Sequence, residues 1–305
     1  MRVVLLAGGT GGAKLATGLR DELAPDELTV ITNPGDDGEF WGLRVCPDAD
    51  AVLFRLAGIF NDAAGFGVKH DTATLLGQLH DLGEGTWFHL GDRDLAFHVL
   101  RSHWLRQGWT LTEVMRELGR RLDVEADILP ATDDRVQTVF ATSEGTLPFQ
   151  DYFVRRRLEP KLLGVSFEGI EEARPTPQVL AALAGADLVV IGPSNPVISI
   201  EPILRLVAGA LDRARTVAIT PVVGGRALKG PTVEMLRALR GAATPEALAL
   251  EYASHARWFV LDEQDAAASE AVEEAGLEPI ILDTVMPDAA ASHRLARGLL
   301  DRLGT

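Results

Sequence analysis

The 305-residue chain has a single cysteine and no long apolar run. Because Cys46 has no second cysteine to pair with, an internal disulfide and a cysteine metal cluster are excluded, which is typical of a reducing compartment. No apolar run approaches the roughly 20 residues that span a bilayer, and the first residues lack a basic segment leading into an apolar signal core. We therefore expect a cytoplasmic protein with no membrane partner.

Positive charge is also scarce, because 29 basic residues face 44 acidic ones and the net charge is −15. A surface of this sign disfavours binding to a nucleic-acid backbone, so we expect no nucleic-acid partner. Hydrophobic residues make up 47% of the chain and charged residues 24%, which are ordinary values for a globular protein. Any anionic ligand must therefore be held by a local site.

Short apolar runs followed by helical patterns recur along the chain. The predicted strands are "RVVLLA", "ELTVITN", "ADLVVIGP", "RTVAITP", "RWFVLDE" and "EPIILD". Alternation of this kind predicts an α/β fold, doubly wound, with a mostly parallel sheet covered by helices on both faces. In such folds the ligand lies outside the carboxyl ends of the strands.

Residues 60–172 interrupt this alternation with three helical patterns, "DTATLLGQLHDLG", "DLAFHVLRSHWLRQG" and "TLTEVMRELGRRL". A predicted strand pair, "RVQTVFATSEGTLPFQDYFVRRR", follows them. We interpret residues 1–305 as one α/β domain in which 60–172 form a helix-rich insertion, or lid, over the strand ends.

The first predicted strand runs into "GGTGGAKL", which contains Gly9, Thr10, Gly11, Gly12 and Lys14. Backbone N–H groups at a strand-to-helix turn form an anion site, most often for phosphate. The spacing matches neither a Walker loop nor G-x-G-x-x-G. A tight turn without a ligand is the alternative.

Carboxylates cluster after the second strand, in "NPGDDGEFWGLRVCPDAD". Oxygen ligands beside a phosphate site suit Mg²⁺, which makes Asp36, Asp37 and Asp48 candidate metal ligands, with Asp50 close by. Alternatively, Asp37 belongs to an Asp-Gly turn and Asp48 caps the following helix.

Two further motifs, "GFGVKHDT" and "HLGDRDLAFH", carry Phe66, Lys69, His70, Asp71, Arg93 and His98. Asp71 is a candidate helix cap, and His70 is more typical of a surface group than of a catalyst. Arg93 lies between two carboxylates, as a phosphate clamp or a surface ion-pair cluster would place it. Asp94 and His98, four residues apart on a predicted helix, are a weak metal-ligand pattern.

Later loops repeat the pattern of strand end followed by polar residues. In "IGPSNPVISI", Ser194 and Asn195 present groups that suit a base or sugar, or else start the next helix. In "TPVVGGRALKGP", two glycines precede Lys229, as in a second phosphate loop or an ordinary turn. Neither a G-x-S-x-G elbow nor H-E-x-x-H is present, so positioning and charge stabilisation are favoured, as in phosphoryl transfer.

Taken in order, these motifs resemble the 2-phospho-L-lactate transferase family of coenzyme F420 biosynthesis along nearly the whole chain. The resemblance rests on the segments above together with "ILPATDD" and "FQDYFVRRR". It implies a Rossmann-like core, Mg²⁺ as cofactor and a homodimer. It also implies transfer of a phospholactyl or phosphoenolpyruvyl group from a guanosine diphospho-linked donor to a hydroxyl of the deazaflavin Fo, releasing GMP.

Carried over by motif, Asp50 and Arg93 would contact Fo and act in catalysis, Phe66 would stack on its ring, and the glycine loop with Lys14 would hold the diphosphate. Ser194 and Asn195 would lie on the guanosine side. Asp50 is our hypothesis for the group that accepts or orients the hydroxyl proton.

Three positions depart from the family pattern: Pro34 removes an N–H donor, Phe66 replaces Trp, and Glu201 replaces Gly and adds negative charge near the predicted phosphate site. A regulatory protein that binds nucleotide sugars is the main alternative, since it shares a similar glycine loop and Asp-Asp-Gly segment. A dinucleotide-dependent oxidoreductase is disfavoured because a clean G-x-G-x-x-G is missing.

Overall fold

A seven-stranded parallel sheet forms the centre of the molecule in the computed structural model, which describes residues 1–227 and 230–304. Its strands, in chain order, are β1 (Val3–Ala7), β2 (Leu28–Thr32), β5 (Asp127–Pro130), β9 (Leu188–Ile191), β10 (Thr216–Ile219), β13 (Trp258–Asp262) and β14 (Glu278–Leu282). All six predicted strands are confirmed. Sequence analysis missed β5, a four-residue strand that ends in proline and pairs only with β2 at the sheet edge.

The strands lie side by side in the order β5-β2-β1-β9-β10-β13-β14, the Rossmann order extended by one strand. The chain therefore reverses its direction of travel across the sheet between β1 and β9. Loops that leave these two strands diverge at the carboxyl edge, which opens a crevice where ligands bind in folds of this kind. The predicted doubly wound α/β class is confirmed.

Helices cover both faces of the sheet. They are α1 (Gly9–Glu22), α2 (Pro47–Leu56), α3 (Thr74–Asp81), α4 (Asp92–Arg106), α5 (Leu111–Arg121), α6 (Pro177–Gly185), α7 (Glu201–Val207), α8 (Thr232–Arg240), α9 (Pro245–Tyr252), α10 (Ser269–Glu274) and α11 (Ala289–Leu303). Alternate residues of β1 point to opposite faces, so Val3 and Leu5 join one buried core with α1, α2, α5 and α11. Val4 and Leu6 join a second core with α6 to α10.

The segment 60–172 contains the three predicted helices, as α3, α4 and α5. The predicted strand pair is present as β6 (Gln137–Thr142) and β7 (Gly145–Pro148), and β8 (Leu162–Glu168) pairs antiparallel with the other edge of β6. The same segment also supplies β5 to the central sheet. It is thus more than a cover over the strand ends, and the proposed domain boundaries stay a prediction.

Short hairpins complete the described fold, namely β3 (Gly38–Phe40) with β4 (Leu43–Val45) and β11 (Val222–Val223) with β12 (Arg226–Ala227). In the described part of the chain, none of the helices combines the length and the hydropathy needed to cross a bilayer.

We predict that Gly18→Ala destabilises the protein, although alanine favours helices over glycine by about 1 kcal/mol. A Cβ at Gly18 would lie 2.2 Å from the Ser292 carbonyl oxygen, at the contact between α1 and α11. Overpacking of this kind costs about 1–3 kcal/mol, and the free energy of unfolding in urea measures it.

Gly77→Ala is the matched control, since Gly77 is exposed on α3 and a Cβ there would meet nothing within 4 Å. This variant should be as stable as the wild type or slightly more so. Equal stabilisation by both substitutions would contradict the tight contact between α1 and α11.

Candidate active site

The glycine loop follows β1 directly, and α1 already begins at Gly9. Gly9 has a φ of +58°, a left-handed conformation that side chains other than glycine rarely adopt. Gly11 and Gly12 instead allow close packing, because a Cβ would lie 2.2 Å from the Pro193 carbonyl oxygen and 2.7 Å from the Ala7 Cβ, respectively. The loop thus brings the start of α1 against the segment that follows β9.

A cavity of about 470 Å³, which we call the glycine-loop cavity, opens between these two segments. Gly9, Thr10, Gly11 and Lys14 line it, whereas Gly12 is buried in the contact behind it. The Lys14 Nζ donates a hydrogen bond of 2.6 Å to the Met286 carbonyl. Burial, and then the nearby charge of Arg55, lowers the pKa of Lys14. The cavity therefore combines a helix N-terminus with a lysine, as an anion site does.

Ser194 and Asn195 line the opposite wall of the glycine-loop cavity. The Ser194 hydroxyl donates to the Gly8 carbonyl at 2.5 Å and so ties the two loops together. The Asn195 Oδ1 accepts from the Val197 N–H at 2.9 Å and caps a π-helical turn at Pro196–Ile200. Both residues therefore also have structural roles, as expected from the alternative in which this segment starts a helix.

In the predicted second phosphate loop, "TPVVGGRALKGP", Pro221, Gly230 and Pro231 line this cavity, whereas the predicted phosphate contact, Lys229, lies outside the described residues.

Two buried carboxylates, Asp36 and Asp48, lie on either side of the Asn33 side chain. The Asn33 Nδ2 donates to Asp36 Oδ1 at 3.0 Å and to Asp48 Oδ2 at 2.9 Å. Asp48 Oδ1 accepts from the Gly9 N–H at 2.6 Å. Asp48 therefore holds the glycine loop and does not cap its own helix, where Cys46 is the N-cap.

Burial raises the pKa of Asp48 to about 6, and burial together with the charge of Asp48 raises the pKa of Asp36 well above its usual range. Two carboxyl groups in this environment hold a proton unless a cation takes its place. Mg²⁺ is commonly bound by one or two carboxylates together with water and substrate phosphates. Among the described residues, no cluster of three or more His, Cys, Asp or Glu side chains forms a metal site. Asp36 and Asp48 fit Mg²⁺ as a pair.

Asp37 differs from the predicted metal trio, since its Oδ2 forms an ion pair of 2.9 Å with Arg44. Burial raises the pKa of Asp37, and Arg44 opposes this effect. The neighbouring guanidinium disfavours a second cation at this carboxylate. Asp37 is therefore the least suited of the three candidate ligands.

Asp50 forms a buried ion pair with Arg101 of α4, a contact that sequence analysis did not anticipate. Arg101 is fully buried, and it also donates to the Arg44 carbonyl at 3.2 Å. The pair fixes one oxygen of Asp50 and leaves Oδ2 without a hydrogen-bond partner among the described residues. A buried, unpaired acceptor of this kind calls for a donor from a ligand.

That carboxylate lines a second cavity of about 290 Å³, which we call the aromatic cavity. Its walls are mostly apolar and include Phe54, Phe60, Phe66 and Phe88. Phe66 is half exposed at the rim, and its ring centroid lies 5.8 Å from that of His89. The lining suits a flat ring system with a few polar groups.

Arg93 lies apart from these buried groups. Its side chain is exposed, and its guanidinium donates to the Lys69 carbonyl at 3.4 Å. Asp71 caps α4 by accepting from the N–H groups of Arg93 and Asp94. Asp92 in turn accepts from N–H groups at the start of α3. The hydrogen bond from the Thr72 hydroxyl, together with these N–H bonds, holds the pKa of Asp92 well below its usual range. Asp71 and Asp92 therefore serve as helix caps, and the catalytic role of Arg93 stays a prediction.

The two cavities meet at Gly9 and Thr10, which line both of them. Asp36 faces the glycine-loop cavity, while Asp48 and Asp50 line the aromatic one. An anionic group held by the loop would thus lie next to a hydroxyl held at Asp50. This juxtaposition suits transfer between two bound small molecules.

Sequence analysis missed Asn33 and Arg101, although both had a signal. Asn33 directly follows β2 at the carboxyl edge of the sheet. Arg101 shares a helix face with Asp94 and His98, at spacings of seven and three residues. Glu201 also differs from expectation, since its carboxylate is paired with Arg205 and Arg240. These two guanidinium groups therefore compensate the negative charge of Glu201.

Comparison with known proteins agrees with this architecture. The family model described as 2-phospho-L-lactate transferase CofD matches residues 3–296. The 2-phospho-L-lactate transferase of Methanosarcina barkeri is 36% identical over 99% of both chains. The phosphoenolpyruvate transferase of Kitasatospora aureofaciens is 39% identical over 98% of this chain and 97% of its own.

A solved structure shares the fold. A protein of the UPF0052 family from Bacillus halodurans aligns with a TM-score of 0.64 at 17% identity, covering 98% of each chain. The chain, a transferase, thus belongs to the 2-phospho-L-lactate transferase family.

Proposed function

We propose that the protein transfers a phospholactyl or phosphoenolpyruvyl group from a guanosine diphospho-linked donor to a ribityl hydroxyl of the deazaflavin Fo, in coenzyme F420 biosynthesis. The hydroxyl oxygen forms a bond to the phosphorus that carries the three-carbon acid. The bond from that phosphorus to the GMP phosphate breaks, and GMP leaves. The names of the relatives support the transferred group, since they include both a lactyl and an enolpyruvyl enzyme.

The meeting of two unlike cavities at Gly9 and Thr10 is the observation that carries this proposal. One cavity has a helix N-terminus and a lysine, which suit a diphosphate. The other has aromatic walls and a buried carboxylate oxygen, which suit a flat ring bearing hydroxyl groups. A reaction between a nucleotide donor and an aromatic polyol needs both environments side by side.

On the donor side, the N–H groups of the glycine loop and the Lys14 amine would hold the diphosphate. Negative charge develops on the GMP phosphate as its bond breaks, and fixed donors aimed at this phosphate stabilise the transition state. Lys14 already points its amine at a carbonyl beside the cavity. Ser194 and Asn195 on the opposite wall would contact the guanosine side.

Asp36 and Asp48 would hold the Mg²⁺ ion, with Asn33 keeping both carboxylates in place. Bound there, the ion would supply positive charge against the donor phosphates.

On the acceptor side, Asp50 Oδ2 would accept the hydrogen bond of the attacking hydroxyl. Arg101 holds the other oxygen of the carboxylate, so this side chain, which lines the aromatic cavity, keeps one orientation. Asp50 would orient the hydroxyl, accept its proton, or do both. Phe66, at the rim, would stack on the ring of Fo.

An assay with synthetic donors tests the proposal. The purified protein is incubated with Fo and either lactyl- or enolpyruvyl-diphosphoguanosine, and GMP and product mass are followed. We expect product from at least one donor, loss of product with EDTA and recovery with Mg²⁺. Absence of product from both donors, with no binding of Fo, would favour the regulatory nucleotide-binding function instead.

We predict that Asp50→Asn lowers kcat by at least about 100-fold, the usual worth of a positioned acid or base. The substitution also leaves the charge of Arg101 uncompensated, which costs about 3–5 kcal/mol of stability. Turnover is therefore measured at a temperature at which circular dichroism shows the variant folded.

Asp127→Asn is the control, because Asp127 pairs with Arg116 at the amino end of β5, away from the carboxyl edge of the sheet. Its kcat should equal that of the wild type. A folded Asp50→Asn variant with wild-type kcat would eliminate the role given to Asp50.

A further inference from the structure

Three neighbouring residues that line the aromatic cavity each have a buried polar atom without a hydrogen-bond partner within the described residues. These atoms are Asp50 Oδ2, Asp94 Oδ1 and His98 Nε2. All three residues line the cavity, and each is more than nine-tenths buried. Leaving such atoms unpaired is costly, so a ligand that satisfies them binds more tightly.

The tautomer of His98 follows from its neighbour Arg101. The Arg101 guanidinium lies 3.1 Å from His98 Nδ1. Arginine has only donors, so Nδ1 must be the acceptor in this contact, and the proton of the neutral imidazole is then on Nε2. This hydrogen-bond network assigns the N–H donor of His98 to Nε2, on the side of the cavity. Its Nδ1 is held by the side chain of Arg101, which is fully buried.

The two carboxylates flank this imidazole. Asp94 Oδ1 lies 3.3 Å from His98 Nε2, without the alignment of a hydrogen bond, and Asp50 Oδ2 lies 3.7 Å from Nδ1. The imidazole therefore lies between two acceptors, with its N–H donor on the side of Asp94 and its Nδ1 on the side of Asp50. Hydroxyl groups satisfy such a set because each one both donates and accepts. An anionic group would be repelled by the carboxylates, and an alkyl group would leave all three atoms unpaired.

We propose that His98, with Asp94, is a positioning and specificity-determining element that binds a hydroxyl next to the reacting one on a polyol acceptor. His98 Nε2–H donates a hydrogen bond to the oxygen of this neighbouring hydroxyl, and the hydroxyl in turn donates a hydrogen bond to the Asp94 carboxylate. The reacting hydroxyl is thereby held at Asp50. This inference rests on the proposed function, since it names the part of the acceptor that the site recognises.

The test compares Fo with an analogue in which the hydroxyl next to the reacting one is replaced by hydrogen. With the wild-type protein, we expect kcat/KM for the analogue to be lower by about 10- to 100-fold, the cost of leaving the buried groups unpaired. KM for the nucleotide donor should not change. Equal kcat/KM for both acceptors would overturn the inference, and this comparison needs no variant to fold.

Substitutions at His98 make the test sharper. In the His98→Asn variant, the shorter side chain keeps an acceptor near Arg101 but removes the donor at the cavity. The preference for Fo over the analogue should fall to about one. Gln in His98→Gln places an amide N–H near the position of Nε2, and it should restore much of the preference.

His103→Asn is the matched control, because His103 is exposed on the same helix. This variant should discriminate as the wild type does. If His98→Asn also keeps the full preference, His98 is merely structural and the inference fails.

The outcomes separate this inference from the proposed function. No turnover of Fo by the wild-type protein with either donor would overturn the proposed function. Turnover of Fo without discrimination against the analogue would overturn only the role of His98.

Discussion

The Asn33 side chain holds together the segments that make up the site. The two hydrogens of its amide nitrogen are shared among Asp36, Asp48 and the Ile198 carbonyl, which lies 3.1 Å away. Asp48 in turn accepts from the N–H of Gly9. The loop after β2, the start of α2, the segment after β9 and the glycine loop therefore converge on one buried amide. Loss of this amide would leave two buried carboxylates short of a donor, which is costly in a low-dielectric interior.

A second buried network supports the aromatic cavity. Arg101 pairs with Asp50 and contacts His98, while Arg44 pairs with Asp37. Two guanidinium groups therefore compensate part of the negative charge that the acidic cluster brings into the interior. Within the described residues, Asp36 and Asp48 have no such guanidinium partner. Burial raises the pKa of both carboxyl groups, and we propose that a cation lies between this pair and a bound diphosphate.

The fold and the position of the site could largely be predicted from the sequence. Runs such as "ADLVVIG" are long, apolar and rich in β-branched residues, so they mark buried parallel strands. The glycine loop marks the carboxyl edge of the sheet, and Asp36, Asp48, Asp50 and Phe66 all line the two cavities there. β5 was missed because a four-residue edge strand ending in proline carries little periodicity.

Partners across the fold could not be predicted, because they depend on long-range packing. Nothing in "GDRDLAFH" shows that Asp92 caps α3, that Asp71 of another motif caps α4, or that Arg93 stays at the surface. The pairing of Asp50 with Arg101 joins residues 51 positions apart. The homodimer and the cytoplasmic location implied at the outset stay predictions.

The most direct measurement is a crystal structure of the protein with GDP and Fo bound together. We expect the diphosphate against Gly9–Lys14, the deazaflavin ring in the aromatic cavity, and a ribityl hydroxyl at Asp50 facing the phosphate across Gly9 and Thr10. Both ligands in one cavity, or Fo bound away from Asp50, would contradict it.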